Sequence, residues 1–214
     1  DRTMVQAVDD FLQLGLPRDA EALLLIEIDG CNEELDGQAK QIIAIAEETG
    51  ASEVTLATTE QQRQDLWQAR RSGNGALGRI KPAYMVQDVT VPRHQLPKML
   101  KFVAEIASRY RITIAQLAHA GDGNLHPHLL YDPFDFQEKE RVEQAAGEIF
   151  KAALDCGGTL TGEHGIGIEK KQYLSMAFAL EDIEFMKNVK QALDPALILN
   201  KGKILDLTEA GDDR

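Results

Sequence analysis

The stretch His119-Ala-Gly-Asp-Gly-Asn-Leu-His126-Pro-His128 decides the fold of this chain, because it combines a turn signal with three of the five histidines. Apolar, strand-like runs flank it on both sides, and Asp-Gly between two such runs predicts a β-hairpin. With Asp122-Gly123 as a two-residue turn, His119 would face His126 across the strands. His128, two residues further along, would point to the same side. The sequence therefore predicts a hairpin that gathers three imidazoles on one face of a sheet.

This histidine cluster has two interpretations. A single histidine in a strand is usually structural, but three on one face point to a shared metal, anion or proton, since imidazole serves both as a base and as a ligand. A second motif, Thr161-Gly-Glu163-His164-Gly-Ile-Gly167, would supply a carboxylate, and two imidazoles with one carboxylate form a common set for a divalent metal. The alternative is that this glycine-rich stretch only connects two helices and that its charges are solvated.

Composition excludes several classes of protein. The 214 residues contain 23 Lys and Arg against 35 Asp and Glu, a net charge of −12, which argues against a nucleic-acid surface or a polybasic membrane patch. No apolar run reaches the roughly 18 residues that a transmembrane helix needs. Two widely spaced cysteines, Cys31 and Cys156, favour a reducing, cytoplasmic compartment, with attachment to the inner membrane through other subunits left open. Because the chain begins at Asp1, we expect a fragment of a longer protein.

Apolar periodicity predicts helices alternating with strands. Helices are predicted over residues 2–14, 34–48, 58–71, 94–109, 134–154, 169–176 and 181–193, and strands over 20–29, 53–57, 84–91, the two hairpin arms and 196–199. Residues 72–82 contain three glycines and a proline and are predicted to form a loop. The pattern predicts an α+β fold, with one mainly antiparallel sheet covered by helices in a single or doubled ferredoxin-like arrangement.

Two further motifs carry candidate binding residues. Trp67 and Arg70 lie three residues apart near the end of a predicted helix and so share a face, where the planar guanidinium could hold a carboxylate with both arms. The alternative is that Arg70 and Arg71 complement the negative end of the helix dipole. Asn200-Lys-Gly-Lys203 is either a turn or a loop that contacts a cofactor.

Taken together, five motifs resemble those of a known family. They are LLLIEIDG (23–30), LWQARR (66–71), HAGDGNLHPH (119–128), GGTLTGEHGIG (157–167) and ALDPALILNKGKI (192–204). They are similar, in the same order, to the C-terminal domain of the FAD-linked oxidases of the vanillyl-alcohol-oxidase type. Within that family they most resemble the branch of the glycolate oxidase FAD subunit, D-lactate dehydrogenase and D-2-hydroxyglutarate dehydrogenase. The resemblance implies a 2-hydroxy acid whose α-carbon transfers a hydride to FAD.

The resemblance also implies a division of the domain 1–214 and a set of site residues. A sheet-and-helix cap would cover about 18–155, and a helical and loop appendage over about 156–207 would face the flavin. Most of the FAD would be held by an N-terminal domain absent from this chain. The resemblance implies that His119, His126 and Glu163 are metal ligands and that His164 is the base. It also implies that Arg70 holds the substrate carboxylate and that Asn200 contacts the flavin. Glu163 and His164 would also contact the cofactor, and the metal would be zinc, manganese or iron.

Two positions depart from the family pattern, and several points stay open. Lys201 stands where the family usually has proline, so the fixed φ of that proline is lost. The resemblance implies no particular role for His128. The substrate could be glycolate, D-lactate or D-2-hydroxyglutarate. The expected partners are this small acid, the FAD-binding domain and other oxidase subunits. We expect no binding to nucleic acid, and the chain could also form a homo-oligomer. We expect the isolated chain to be inactive; the alternatives are a metal-dependent hydrolase and a stand-alone metal-binding module.

Overall fold

The computed structural model describes residues 1–207, which form two units, Asp1–Ile80 and the residues from Lys81 onward. The first unit contains the helices α1 (Arg2–Leu12), α2 (Asn32–Glu48), α3 (Glu60–Arg71) and α4 (Gly73–Leu77). The second contains β1 (Ala83–Val86), β2 (Val89–Thr90), α5 (Leu96–Tyr110), β3 (Thr113–His119), β4 (Asn124–Tyr131), α6 (Phe136–Asp155), α7 (Leu174–Ala177) and α8 (Leu180–Leu193). Short 3-10 turns, Arg93–Gln95 and Lys171–Tyr173, precede α5 and α7. The predicted α+β class is confirmed.

Side-chain caps begin two of the helices of the first unit, α1 and α3. The side chain of Asp1 accepts a hydrogen bond from the backbone N–H of Met4 and starts α1. Thr59 and Gln62 form a reciprocal capping box at the start of α3. Past the end of α2, Gly50 has a φ of +88°, a left-handed conformation that favours glycine at helix ends.

The predicted loop over 72–82 is wrong in part, because it contains α4. Gly73, Ala76 and Leu77 are buried, and α4 packs against α1. A Cβ at Gly73 would lie 3.0 Å from Sδ of Met4. Glycine, which lowers helix propensity, here permits the close approach of the two helices, so that packing overrides propensity.

The predicted strands over 20–29 and 53–57 are absent from the described structure of the first unit. Both stretches expose apolar side chains, among them Leu24 (67%) and Leu56 (57%). A strand needs a hydrogen-bonding partner as well as a suitable pattern. Alternation and β-branched residues supply only the pattern. The strand predicted over 196–199 is also wrong, because the buried carboxylate of Asp194 accepts the backbone N–H groups of Ile198 and Leu199 there.

A four-stranded antiparallel sheet runs through the described part of the second unit. β4 pairs with β3 along one edge and with β1 and β2, one after the other, along the opposite edge. The order β-α-β-β-α, followed by an isolated bridge between Thr90 and Thr159, matches the predicted ferredoxin-like arrangement with its last strand reduced to that bridge.

The core of the second unit lies between one face of the sheet and the helices α5 and α6. The apolar stripe of α5 includes Met99 and Val103, that of α6 includes Ile149, and both pack with Leu125 and Leu129 of β4. Because side chains alternate along a strand, His126 and His128, which lie on either side of Pro127 in β4, point to the opposite face, away from α5 and α6. Among the described helices, none combines the length and apolar character needed to cross a bilayer.

Candidate metal and proton-transfer site

The histidine hairpin is present, but its register differs from the prediction by two residues. His119 pairs with Asn124 rather than with His126, so the connection is Ala120-Gly-Asp-Gly123. Gly123 is used differently than expected: its carbonyl accepts the backbone N–H of Val91, and a Cβ there would lie 2.1 Å from the carbonyl oxygen of Val91. A shift of two residues preserves which face each side chain occupies. His119 and His126 therefore share a face as predicted, with ring centroids 5.5 Å apart.

The glycine-rich motif returns along β2 after α6 and so reaches this histidine face. The backbone N–H of Thr159 donates to the carbonyl of Thr90 at 2.8 Å. Gly158 allows this approach, because a Cβ there would lie 2.1 Å from the same carbonyl oxygen. Leu160 is buried in the core, and the next four residues form the loop 161–164.

Asp88, between β1 and β2, holds the loop 161–164 in place. Its Oδ2 atom accepts the Thr161 hydroxyl at 2.6 Å and the backbone N–H groups of Gly162, Glu163 and His164 at 3.0, 3.1 and 2.8 Å. Successive N–H groups that converge on one anion form a nest. Asp88 is fully buried.

The charge of this buried carboxylate is stabilised by its partners. Burial by itself would raise the pKa of Asp88, but hydrogen bonds from Thr161, His164 and Glu163, together with the charge of Lys170, lower it well below its ordinary value. Nζ of Lys170, itself buried, lies 3.4 Å from Oδ2 and donates to the backbone carbonyl of Asp88 at 3.2 Å. The carboxylate is therefore ionised throughout the physiological pH range.

Three imidazoles converge on one oxygen of the loop. Oε1 of Glu163 lies 3.1 Å from Nε2 of His126, 3.6 Å from Nε2 of His119 and 4.0 Å from Nε2 of His164. The ring of His164 is stacked on that of His126, with centroids 5.0 Å apart and planes at 12°. The fold thus brings together four of the residues that the sequence selected, from two motifs about forty positions apart.

The donor set fits a divalent metal. Two ligands on one tetrahedral ion, each about 2.1 Å from it, lie about 3.4 Å apart, close to the separations of Glu163 from His126 and His119. Burial, and then the neighbouring His164, lower the pKa of His126, although Asp88 and Glu163 oppose the shift. A neutral imidazole is the form that binds a metal.

A slightly different group has its ligand atoms all within 4.8 Å of one another: Asp88, His126, Glu163 and His164. His119 is outside this group, but its Nε2 lies 3.6 Å from Oε1 of Glu163. Asp88 is the less suitable ligand, because its Oδ2 already accepts four hydrogen bonds from the loop. We therefore keep His119, His126 and Glu163 as the predicted ligands.

An open cavity of about 440 Å³ adjoins these ligands. It is lined by Thr90, His119, Asp122, Asn124, Gly162 and Glu163. His119 and Glu163, with about half of each side chain exposed, face solvent, whereas His126 is buried. A small molecule could therefore reach the cluster from the side of His119 and Glu163.

Three other residues singled out from the sequence lie outside this cluster or in the other unit. His128 is buried, its Nδ1 lies 2.8 Å from the carbonyl of His126, and its ring packs near Tyr84. Arg70 is half buried near the end of α3 in the first unit. Asn200 is exposed in a turn, with a φ of +48°. The roles of Arg70 and Asn200 stay predictions.

The residue that the sequence did not select is Asp88. Its contacts with the loop span more than seventy positions, which no local pattern reveals. One signal was available: Asp88 is a charge inside the predicted strand 84–91, next to valine, and buried charges are rare unless they are paired.

Known proteins with similar sequences cover this whole set of motifs. Residues 1–204 match the family described as FAD linked oxidases, C-terminal domain. The chain is 45% identical over 204 residues to the glycolate oxidase subunit GlcD of Bacillus subtilis (strain 168), covering 95% of this chain and 43% of that protein. It is 38% identical over 203 residues to GlcD of Escherichia coli (strain K12), covering 95% and 41%. It is 33% identical over 218 residues to the probable mitochondrial D-lactate dehydrogenase of Danio rerio, covering 100% and 43%.

The chain thus spans less than half the length of these relatives. Among solved structures, it is similar to 4-ethylphenol oxidase from Gulosibacter chungangensis in its isoeugenol complex, with a TM-score of 0.57 and 16% identity over 82% of this chain and 37% of that one. At this identity, the similarity supports the fold alone.

Proposed function

Because this chain belongs to the family of FAD-linked oxidase C-terminal domains, we propose that it is the substrate-side part of a flavin-dependent oxidoreductase acting on the CH–OH group of 2-hydroxy acids. The observation that supports the proposal best is the convergence of three imidazoles on Oε1 of Glu163 beside an open cavity. The names of the relatives, glycolate oxidase subunit and D-lactate dehydrogenase, suggest glycolate or D-lactate as the substrate class.

In this proposal His119, His126 and Glu163 hold a divalent metal and Asn200 lies against the flavin. The metal supplies Lewis acidity for the substrate hydroxyl, and FAD, held mostly by a part of the protein outside this chain, supplies the electron acceptor. Other oxidase subunits and a cytoplasmic location are part of the same proposal.

His164 is the proposed base, and it would take the hydroxyl proton on Nε2. Its side chain is about half exposed, and stacking on His126 fixes its ring at the cluster. A histidine suits this role because its ordinary pKa lies near neutral pH. Arg70 would hold the substrate carboxylate in a two-pronged hydrogen bond.

The first test is the metal content of the purified chain, with His119→Ala as its control. We expect close to one zinc, manganese or iron per chain, and much less in the variant, because the substitution removes a ligand while the buried His126 stays in place. No metal in the unsubstituted chain would contradict the metal role.

The second test is turnover by the proposed longer flavoprotein of which this chain would be a part, measured with a dye as electron acceptor and a panel of 2-hydroxy acids. His164→Ala should lower kcat by about 10²–10⁴-fold with little change in KM, whereas Arg70→Lys should chiefly raise KM. Ester or amide hydrolysis by this chain without flavin would instead support the metal-dependent hydrolase.

A further inference from the structure

We propose that Asp88 is the positioning residue of this site, because one carboxylate holds the loop 161–164 and faces His126 at the same time. The expected effect of Asp88 on metal binding rests on the proposed function, whereas its contacts with the loop and with His126 do not depend on that function. Oδ2 fixes the backbone of the loop through three consecutive N–H groups and the Thr161 hydroxyl. The loop side chains that point to the histidine face, Glu163 and His164, thereby acquire a defined position.

The second oxygen of Asp88 faces the buried ring of His126. The strand register on either side, Val86 with His128 and Val89 with Leu125, puts Asp88 opposite His126. Oδ1 lies 3.9 Å from Nδ1 of His126, and this buried nitrogen has no hydrogen-bond partner among the described residues. An imidazole that binds a metal through Nε2 carries its proton on Nδ1, and a carboxylate there typically fixes the ring. Asp88 therefore contacts the loop chiefly through Oδ2, while Oδ1 faces His126 and also accepts the backbone N–H of Glu163 at 3.3 Å.

The backbone of the loop depends on this carboxylate. Leu160 is buried in the core and Ile166 packs partly against it, which fixes the two ends of the stretch. Between them, Gly162, Glu163 and His164 are exposed. The backbone N–H groups of these three residues all donate to Asp88. Without the carboxylate, Glu163 would lose its fixed distance to His126.

The decisive variant is Asp88→Asn, which keeps the shape of the side chain. An amide offers one acceptor atom where the carboxylate offers two, and it removes the charge that strengthens hydrogen bonds from N–H groups. We expect the amide hydrogens of residues 162–164 to exchange about tenfold faster or more. We also expect the affinity of the chain for Co²⁺ to fall about 10–100-fold, as is typical when the partner of a metal ligand is removed.

The matched control is Asp194→Asn. Asp194 is also a buried carboxylate that accepts two backbone N–H groups and a lysine, but its contacts lie in the last turn of α8 and in the stretch after it. Its replacement should destabilise the chain to a similar extent and leave Co²⁺ affinity and the exchange of residues 162–164 unchanged. Thr161→Val, which removes one of the bonds to Oδ2, should give a smaller change in the same direction as Asp88→Asn and serves if that variant fails to fold.

The experiment combines hydrogen exchange followed by NMR with Co²⁺ titration followed by its absorption spectrum, both on this chain. Faster exchange at 162–164 with weaker Co²⁺ binding, in Asp88→Asn and not in Asp194→Asn, supports the proposal. Unchanged exchange, or equal loss of Co²⁺ affinity in both variants, overturns it. If the unsubstituted chain binds no Co²⁺, the metal role fails, and the exchange of residues 162–164 alone decides whether Asp88 positions the loop.

Discussion

The substitution Gly162→Ala tests whether the loop must lie close to the sheet for the site to form. A Cβ at this position would lie 2.3 Å from Oγ1 of Thr90 and 2.8 Å from Cγ and Nδ2 of Asn124. These residues are cross-strand partners in β2 and β4, and both are among the residues that line the cavity. A methyl group would therefore push the loop away from the histidine face.

The size of the effect follows from these distances. Ordinary contact begins near 3.4 Å, so the loop or Thr90 must move by about 1 Å, and such overpacking costs about 1–3 kcal/mol of unfolding free energy. For a chain of this size that lowers Tm by about 2–12 °C. The same displacement would increase the 3.1 Å between Glu163 and His126 to about 4 Å, beyond the separation of two ligands on one metal. Metal affinity should fall about 10–100-fold.

The assay is calorimetric titration of the metal-free chain with Zn²⁺, together with Tm measured without metal. Gly121→Ala is the matched control, since a Cβ there meets nothing within 4 Å, and it should bind Zn²⁺ like the unsubstituted chain. Adding Thr90→Ala to Gly162→Ala should restore part of the loss, because it removes the closest contact. Unsubstituted affinity and Tm in Gly162→Ala would refute the argument that the loop needs this approach.

Three further predictions concern charge and burial in the second unit and the two thiols. Replacing Lys170 by Met should lower the unfolding free energy by about 1–3 kcal/mol in chemical denaturation, because the buried Asp88 loses a cationic partner while keeping its N–H donors. The pKa of Asp194 is lowered chiefly by a hydrogen bond from Lys190. The ionised Asp194 therefore stabilises the folded chain above the ordinary pKa of the carboxyl, and this stabilisation is lost as the pH falls through the lowered pKa. Asp194→Asn should accordingly lose less Tm than the unsubstituted chain between about pH 5 and pH 2. An Ellman titration should find the exposed Cys31 reactive in the native chain and the buried Cys156 reactive only after denaturation.

The sequence predicts those parts of the site that depend on local periodicity. Alternation along a strand is enough to put His119 and His126 on one face, and that prediction survives a register error because the error is an even number of residues. The error arose at Gly123. An Asp-Gly pair predicts a tight turn, but this glycine is needed where the backbone of Val91 approaches it, and β2 lies some thirty positions earlier in the chain.

Non-local pairing explains the other differences. The stretch 20–29 has the composition of a strand, yet a composition does not identify a partner, and the described structure of the first unit supplies none. The helix Gly73–Leu77 forms against propensity because it packs on α1. Local sequence patterns do not reveal the role of Asp88 for the same reason, since this role depends on a loop more than seventy positions later that lies against it.

The two halves of the site differ in how firmly they are held, and this difference bears on the proposed catalysis. His126 is buried in a strand paired on both sides, so its position changes only if the sheet deforms. Glu163 and His164 are about half exposed and depend on hydrogen bonds to one carboxylate. A site assembled in this way can adjust the proposed base and one ligand to an incoming substrate while His126 stays fixed, because polar contacts rearrange locally where a packed core does not. Asp88 would then set how far the loop can move, which is why its removal should affect metal binding more than the loss of another buried carboxylate, Asp194.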